Sequence, residues 1–202
     1  MYARMDRASG QHDSPESRSG LLALRSTMPG LLGSITLGQL AGPAELSLTF
    51  WDTQASAASF PGPRAHAAGL PGLVYEVADV REGPAAVYPP SHALLPYFDG
   101  PRLPELTAAA DRAWRQRLWP GIRGVDGLVA CYVLLHDDLG TVIVHLGTTL
   151  EALEAIGRAV RASELLPGED PALLPGPDRI EFHHVTGYRA PVARPAATSK
   201  GR

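Results

Sequence analysis

Five side chains have the types and spacing to do chemistry in this chain: His145, Tyr132, His183, Glu181 and Trp51. Tyr132 and His145 lie on consecutive apolar stretches, Leu128 to Leu135 and Thr141 to Leu146, joined by the turn His136-Asp137-Asp138-Leu139-Gly140. If that turn holds an even number of residues, position 136 pairs with 141 and 132 pairs with 145. Tyr132 and His145 then become cross-strand neighbours, roughly 5 Å apart at Cβ. An odd turn shifts the register and breaks the pair. A histidine titrates near neutrality and a tyrosine donates or accepts a hydrogen bond, so the two together can deprotonate a phenol or enol and steady its anion. The plainer alternative is a hydrogen-bonded pair filling a polar core.

In the last strand-like stretch, Arg179 to Tyr188, Ile180 and Phe182 set one face. Glu181 and His183 fall on the other, and His184 faces away from His183. His145, His183 and Glu181 imitate a two-histidine, one-carboxylate metal set. The expected strand order separates them by roughly 10 Å, so no metal is expected. Cys131 is the single cysteine and excludes an intramolecular disulfide or a cysteine zinc cluster. No G-x-S-x-G elbow, H-E-x-x-H helix or P-loop is present.

These residues need elements to position them. Across 202 residues, 45% are hydrophobic and 19% charged, which is globular composition. The net charge of -3 argues against a nucleic-acid face. No apolar run reaches the ~20 residues of a membrane helix, and the N-terminus has no signal-peptide core. A cytoplasmic protein is expected. Residues 1–5 read as a strand, 6–20 as a loop and 21–28 as a weak helical pattern. Leu31 to Leu40 and Glu45 to Trp51 read as strands, with Leu46, Leu48 and Phe50 on one face and Ser47, Thr49 and Trp51 on the other. Asp52 fits a helix N-cap, and Leu73 to Val80 a fourth strand. After a linker, His92 to Phe98 is a strand that Pro96 confines to an edge or bulge. A helix from Pro104 to Pro120, the two central strands, a helix capped by Thr148 with Glu151, and the final strand complete the series.

The order is strand–helix–strand–strand–helix–strand, twice, the split βαβ pattern of a ferredoxin-like unit. Gly30 to Asp52 spans 22 residues and Gly127 to Thr148 spans 21. The expected fold is therefore α+β, with two ferredoxin-like (split βαβ) repeats packed sheet to sheet as an α+β barrel. The expected boundaries are 1–80 for the first repeat, 81–91 for the linker, 92–189 for the second repeat and 190–202 for a disordered tail.

PGLLGSITL followed by LSLTFWDTQASAASF resembles the motif of antibiotic-biosynthesis-monooxygenase-like dimeric α+β barrels. There a PG-x-L strand precedes a strand ending in a tryptophan, an acidic residue and a helix. Trp51 and Asp52 match those positions, whereas the second copy has Gly147 and Thr148. The resemblance implies a barrel interior as the pocket. It also implies an activity among cofactor-independent oxygenation or cyclisation of phenolic polyketides, haem degradation, and non-catalytic ligand binding or stress response. Some oxygenase members use asparagine, which this chain lacks.

The leading expectation is an enzyme of bacterial secondary metabolism acting on an aromatic, polyketide-like small molecule by proton abstraction. His145 and Tyr132 would be catalytic, with Trp51, His183 and Glu181 lining the pocket. No cofactor is required, though haem or flavin is left open. The chain would stand as a monomer, a pseudo-dimer in itself, or pair again as a homodimer.

Overall fold

The computed structural model describes residues 1–9, 28–60, 72–101 and 103–191. Eight antiparallel strands close into one barrel: β1 (Tyr2–Ser9), β2 (Leu31–Gln39), β3 (Ala44–Trp51), β4 (Leu73–Glu82), β5 (His92–Asp99), β6 (Leu128–His136), β7 (Gly140–Gly147) and β8 (Arg179–Arg189). Around the barrel they run β1-β3-β2-β8-β5-β7-β6-β4. The first four strands are thus ordered β4-β1-β3-β2 and the last four β8-β5-β7-β6, the same permutation. The two sheets join at β2–β8 and at β4–β6, so neither retains an unpaired edge.

Helices pack on the outside. Short α1 (Gln54–Ser59) follows β3. Between β5 and β6, α2 (Pro104–Ala113) continues through a π-helical turn, Trp114–Leu118, into α3 (Trp119–Ile122). Pro120, expected to close that helix, instead occupies the first turn of α3, where a proline lacks no needed donor. The helix α4 (Leu150–Ala162) follows β7. No helix among the described residues is long and apolar enough to cross a membrane.

Period-two alternation decides what the barrel encloses. Ile35, Leu37, Leu48, Phe50, Leu95 and Leu134 point inward and are fully buried. Each such side chain contributes about 1.5–3 kcal/mol by leaving water. Outside, Leu94, Trp114, Ile122, Leu128, Cys131, Leu153 and Ile156 form the layer between the second sheet and its helices. The interior space that the resemblance offers as a pocket is therefore packed with apolar side chains.

Several expectations shift. The first strand runs on to Ser9, through residues read as loop, because its ladder to β3 continues to Ser9–Ala44, with Arg4 and Asp6 paired on the outer face. The helical pattern at 21–28 falls, except for Met28, outside the described residues, as does the tail from 192. Strand β5 is central, paired to β7 and β8. Pro96 is tolerated because the ladder to β7 lapses between Leu94–His145 and Tyr97–Val142, where its missing N–H costs nothing. The helix caps fall one residue later than expected. Thr53 accepts from Ser56 N at 3.1 Å and Thr149 from Ala152 N at 3.2 Å. In both halves the residue before the cap is tied back to a glycine, Asp52 N to Gly30 O and Thr148 N to Gly127 O, each at 2.9 Å.

Candidate functional site

The hairpin between β6 and β7 fixes which residues can meet. Its loop is Asp137-Asp138-Leu139, three residues, so His136 pairs with Gly140. Gly140 closes the loop at φ +90, a left-handed conformation open to glycine, and a Cβ there would lie 1.9 Å from the Phe98 carbonyl oxygen. The odd count shifts β7 by one residue relative to the expected register and turns every side chain to the opposite face. Tyr132 therefore pairs with Val144, and His145 with Cys131.

This corrects the expected cross-strand pairing of Tyr132 with His145. His145 lies on the helix side, 4% exposed, with Nδ1 3.0 Å from Cys131 Sγ. Burial lowers its pKa to about 4 and pushes the thiol of Cys131 up, so at neutral pH the pair is an uncharged thiol and an uncharged imidazole. Tyr132 stays inside the barrel, its ring 5.0 Å from Phe50. Burial, and then Tyr188, raise its pKa.

Trp51 is also on the other side of the sheet from the one expected. Its alternation with Leu46, Leu48 and Phe50 is as read, but the apolar set fills the barrel. Trp51 packs outside on Phe60, ring centroids 5.3 Å apart, and donates from Nε1 to Thr49 Oγ1 at 2.9 Å. An open depression of about 180 Å³ adjoins it, lined by Met28, Pro29, Trp51, Ser56, Ser59 and Phe60.

Glu181 and His183 do share the inner face of β8, where they meet three residues the sequence reading did not single out. At the end of the barrel where β1 and β5 finish, Arg7 Nη2 donates to both oxygens of Glu181 at 2.9 and 3.0 Å and to Tyr97 Oη at 2.8 Å. Tyr97 Oη donates to Glu181 Oε2 at 3.1 Å. Arg179 Nη1 donates to Glu181 Oε1 at 3.2 Å, and its guanidinium lies 3.7 Å from the centroid of the Tyr97 ring. His183 Nε2 is 3.2 Å from Glu181 Oε2.

Glu181 is thus the hub. Burial alone would raise its pKa, but the hydrogen bond and charge of Arg7, then His183 and Tyr97, outweigh that and hold the carboxyl below its ordinary range. An ionised carboxylate only accepts, so His183 must donate from Nε2. The ring then carries its lone pair on Nδ1. That atom is buried and has no hydrogen-bond partner among the described residues. The His183 pKa is lowered, first by burial, with Glu181 opposing and Arg7 adding to the fall, so the ring is neutral at pH 7. His183 is 1% exposed while the side chains of Arg7 and Arg179 are both 44% exposed. The cluster runs from solvent-facing guanidinium groups to a buried basic nitrogen.

Sequence signals for the missed residues existed. Ala3, Met5 and Arg7 alternate inward on β1, and Tyr97 follows Ala93 and Leu95 at period two. No group of three or more histidine, cysteine or acidic residues able to hold a metal ion occurs among the described residues.

No family model matches the chain, and no curated protein matches it. Solved structures do. An anthrone oxidase-like protein is 16% identical, covering 93% of this chain and 92% of its own, with a TM-score of 0.53. A ferredoxin-fold protein from Listeria monocytogenes, related to antibiotic biosynthesis monooxygenases, is 9% identical over 92% of this chain and 94% of its own, TM-score 0.52. A heme-degrading enzyme from the same organism is 9% identical over 91% of this chain and 99% of its own, TM-score 0.50. The chain has the α+β barrel fold that these proteins share.

Proposed function

We propose that this chain is a cofactor-independent oxygenase acting on a phenolic or enolic aromatic molecule at the Arg7–Glu181 end of its barrel. His183 is the general base, Glu181 fixes its tautomer and steadies the imidazolium, and Arg7 and Arg179 stabilise the substrate anion. The observation that carries this reading is the buried, unpartnered Nδ1 of His183, whose other nitrogen is held by an ionised carboxylate. That is the arrangement of a base oriented by an acid. His145 and Tyr132 are packing residues in this reading, because neither the thiol partner of His145 nor the Val144 partner of Tyr132 gives the pair a common target.

The anthrone oxidase-like structure suggests the reaction class. Removing a proton from the methylene carbon of an anthrone gives an enolate. Dioxygen then oxidises it: one oxygen atom becomes the new ring carbonyl, and the other leaves as water with the two hydrogens of the methylene. His183 takes the first proton and returns it to the departing oxygen.

The chain also reads as an internal duplication, with repeats 1–80 and 92–189 joined by 81–91. The matched strand orders and the paired Gly30 and Gly127 bonds support this. A barrel closed within one chain favours a monomer. A second reading, a stress-response barrel without turnover, draws on the packed interior.

The test is dioxygen uptake with anthrone as probe, preceded by an absorbance spectrum of the purified protein. Turnover without a Soret or flavin band, lost in His183→Ala, is expected. Undiminished turnover in that variant removes His183 as base. A Soret band would move the reading to haem, and binding without uptake to the non-catalytic barrel.

A further inference from the structure

A second histidine arrangement lies on the outer face of the same sheet, at the end of β5 remote from Tyr97. His92 on β5 and His184 on β8 are direct cross-strand partners, with ring centroids 4.8 Å apart at 51°. His184 is exposed and His92 half-buried.

The hydrogen bonds behind His92 determine its tautomer. The Ser91 hydroxyl donates to the Thr148 carbonyl, which cannot donate in return. That uses the one proton of the hydroxyl. Ser91 Oγ, 2.7 Å from His92 Nδ1, must therefore accept from it. Neutral His92 is then protonated on Nδ1, and Nε2 carries the lone pair. A ligating histidine has this outer-shell arrangement, one nitrogen donating to a fixed oxygen and the other free for a metal. Glu151, in the first turn of α4, lies within electrostatic range of His92.

We propose that His92 and His184 form a two-imidazole site for a divalent first-row transition metal, Cu²⁺ foremost, with Glu151 as the neighbouring anion. No third histidine, cysteine or acidic side chain completes a set among the described residues, so water fills the remaining positions. Imidazole ligands place the ions in the order Cu²⁺, then Ni²⁺, then Zn²⁺. The site is independent of the oxygenase reading: it faces the opposite side of the sheet from His183. A metal there would tie β5 to β8.

The experiment is calorimetric titration of the full chain with Cu²⁺ alone, repeated with Ni²⁺ and Zn²⁺, on the wild type, His184→Ala and His92→Ala. Wild type should bind one more equivalent of Cu²⁺ than either variant, and more weakly in the stated ion order. Saturating Cu²⁺ should raise the melting temperature of the wild type and not of His184→Ala. Because His184 is exposed, that variant should fold as the wild type does, which circular dichroism checks. Equal stoichiometry and affinity in all three proteins would overturn the site.

Discussion

His145 and His183 are almost equally buried, 4% and 1% exposed, and stand on opposite faces of one sheet. Their partners separate them. His145 faces a thiol that burial keeps protonated, in a layer of Trp114, Leu153 and Ile156. His183 faces a carboxylate that Arg7, His183 itself and Tyr97 hold below its ordinary range. Burial lowers the pKa of both rings. Only the carboxylate leaves a lone pair unused at a fixed atom. Burial makes a histidine neutral, and the partner decides whether it is also reactive.

The sharpest way to break this contrast is to remove each ring in turn. Loss of a positioned base costs about 10²–10⁴-fold in rate. His183→Ala should lose anthrone-dependent dioxygen uptake on that scale, while His145→Ala should hold kcat within a few fold. The reverse ranking would restore His145 as the base.

Acid should act on His145 next. Its ordinary pKa of 6.5 falls to about 4 in the folded state, so the unfolded chain binds more protons between those values. Stability is complete above about pH 6.5 and declines toward pH 4, by about 3 kcal/mol at 1.36 kcal/mol per pKa unit. Urea unfolding at pH 7 and pH 4 measures this. His145→Gln should flatten that part of the profile, and an unchanged profile would place the acid lability elsewhere.

Glu181→Gln tests the orienting carboxylate. The negative charge raises the His183 pKa against burial, so its loss should move the acid limb of kcat/KM to lower pH and reduce kcat. A limb that stays in place would leave Glu181 a structural group. Tyr97→Phe removes two hydrogen bonds of the cluster, the one to Glu181 and the one from Arg7, and should cost about 1–2 kcal/mol in denaturant unfolding. Arg115→Ala, on the solvated face of the helix, should stay within about 0.5 kcal/mol and serves as the control.

Strand order, helix placement and the inward facing of Glu181 were legible because alternation and caps are local signals. The register of β7 was legible in principle. A three-residue loop ending in a glycine is a known hairpin type, and Asp137-Asp138-Leu139-Gly140 has that form. Reading the turn as even misplaced His145. For Trp51 the alternation was plain and the side was not. Thr49 shares the face of Trp51, yet it is fully buried and accepts from the indole. Arg7 was hidden because Arg4, Asp6 and Arg7 together look like solvated loop. Their charges are answered by partners, Ala57 O and Ala58 O for Arg4 and Glu181 for Arg7, that lie roughly 50 to 170 residues away in the chain.

Laid over each other with Trp51 on Gly147, the two strand ladders put Ala3 on Ala93, Met5 on Leu95 and Arg7 on Tyr97. Tyr75, the partner of Ala3, then falls on His183, the partner of Ala93, and Leu73 falls on Glu181. A barrel assembled from two identical chains would carry its histidine–carboxylate pair twice or not at all. Here the two halves belong to one chain and carry different residues at the matched places, so the barrel holds one copy. If that pair is the site proposed above, occupancy should saturate at a single ligand per polypeptide, because Tyr75 stands where a second His183 would be.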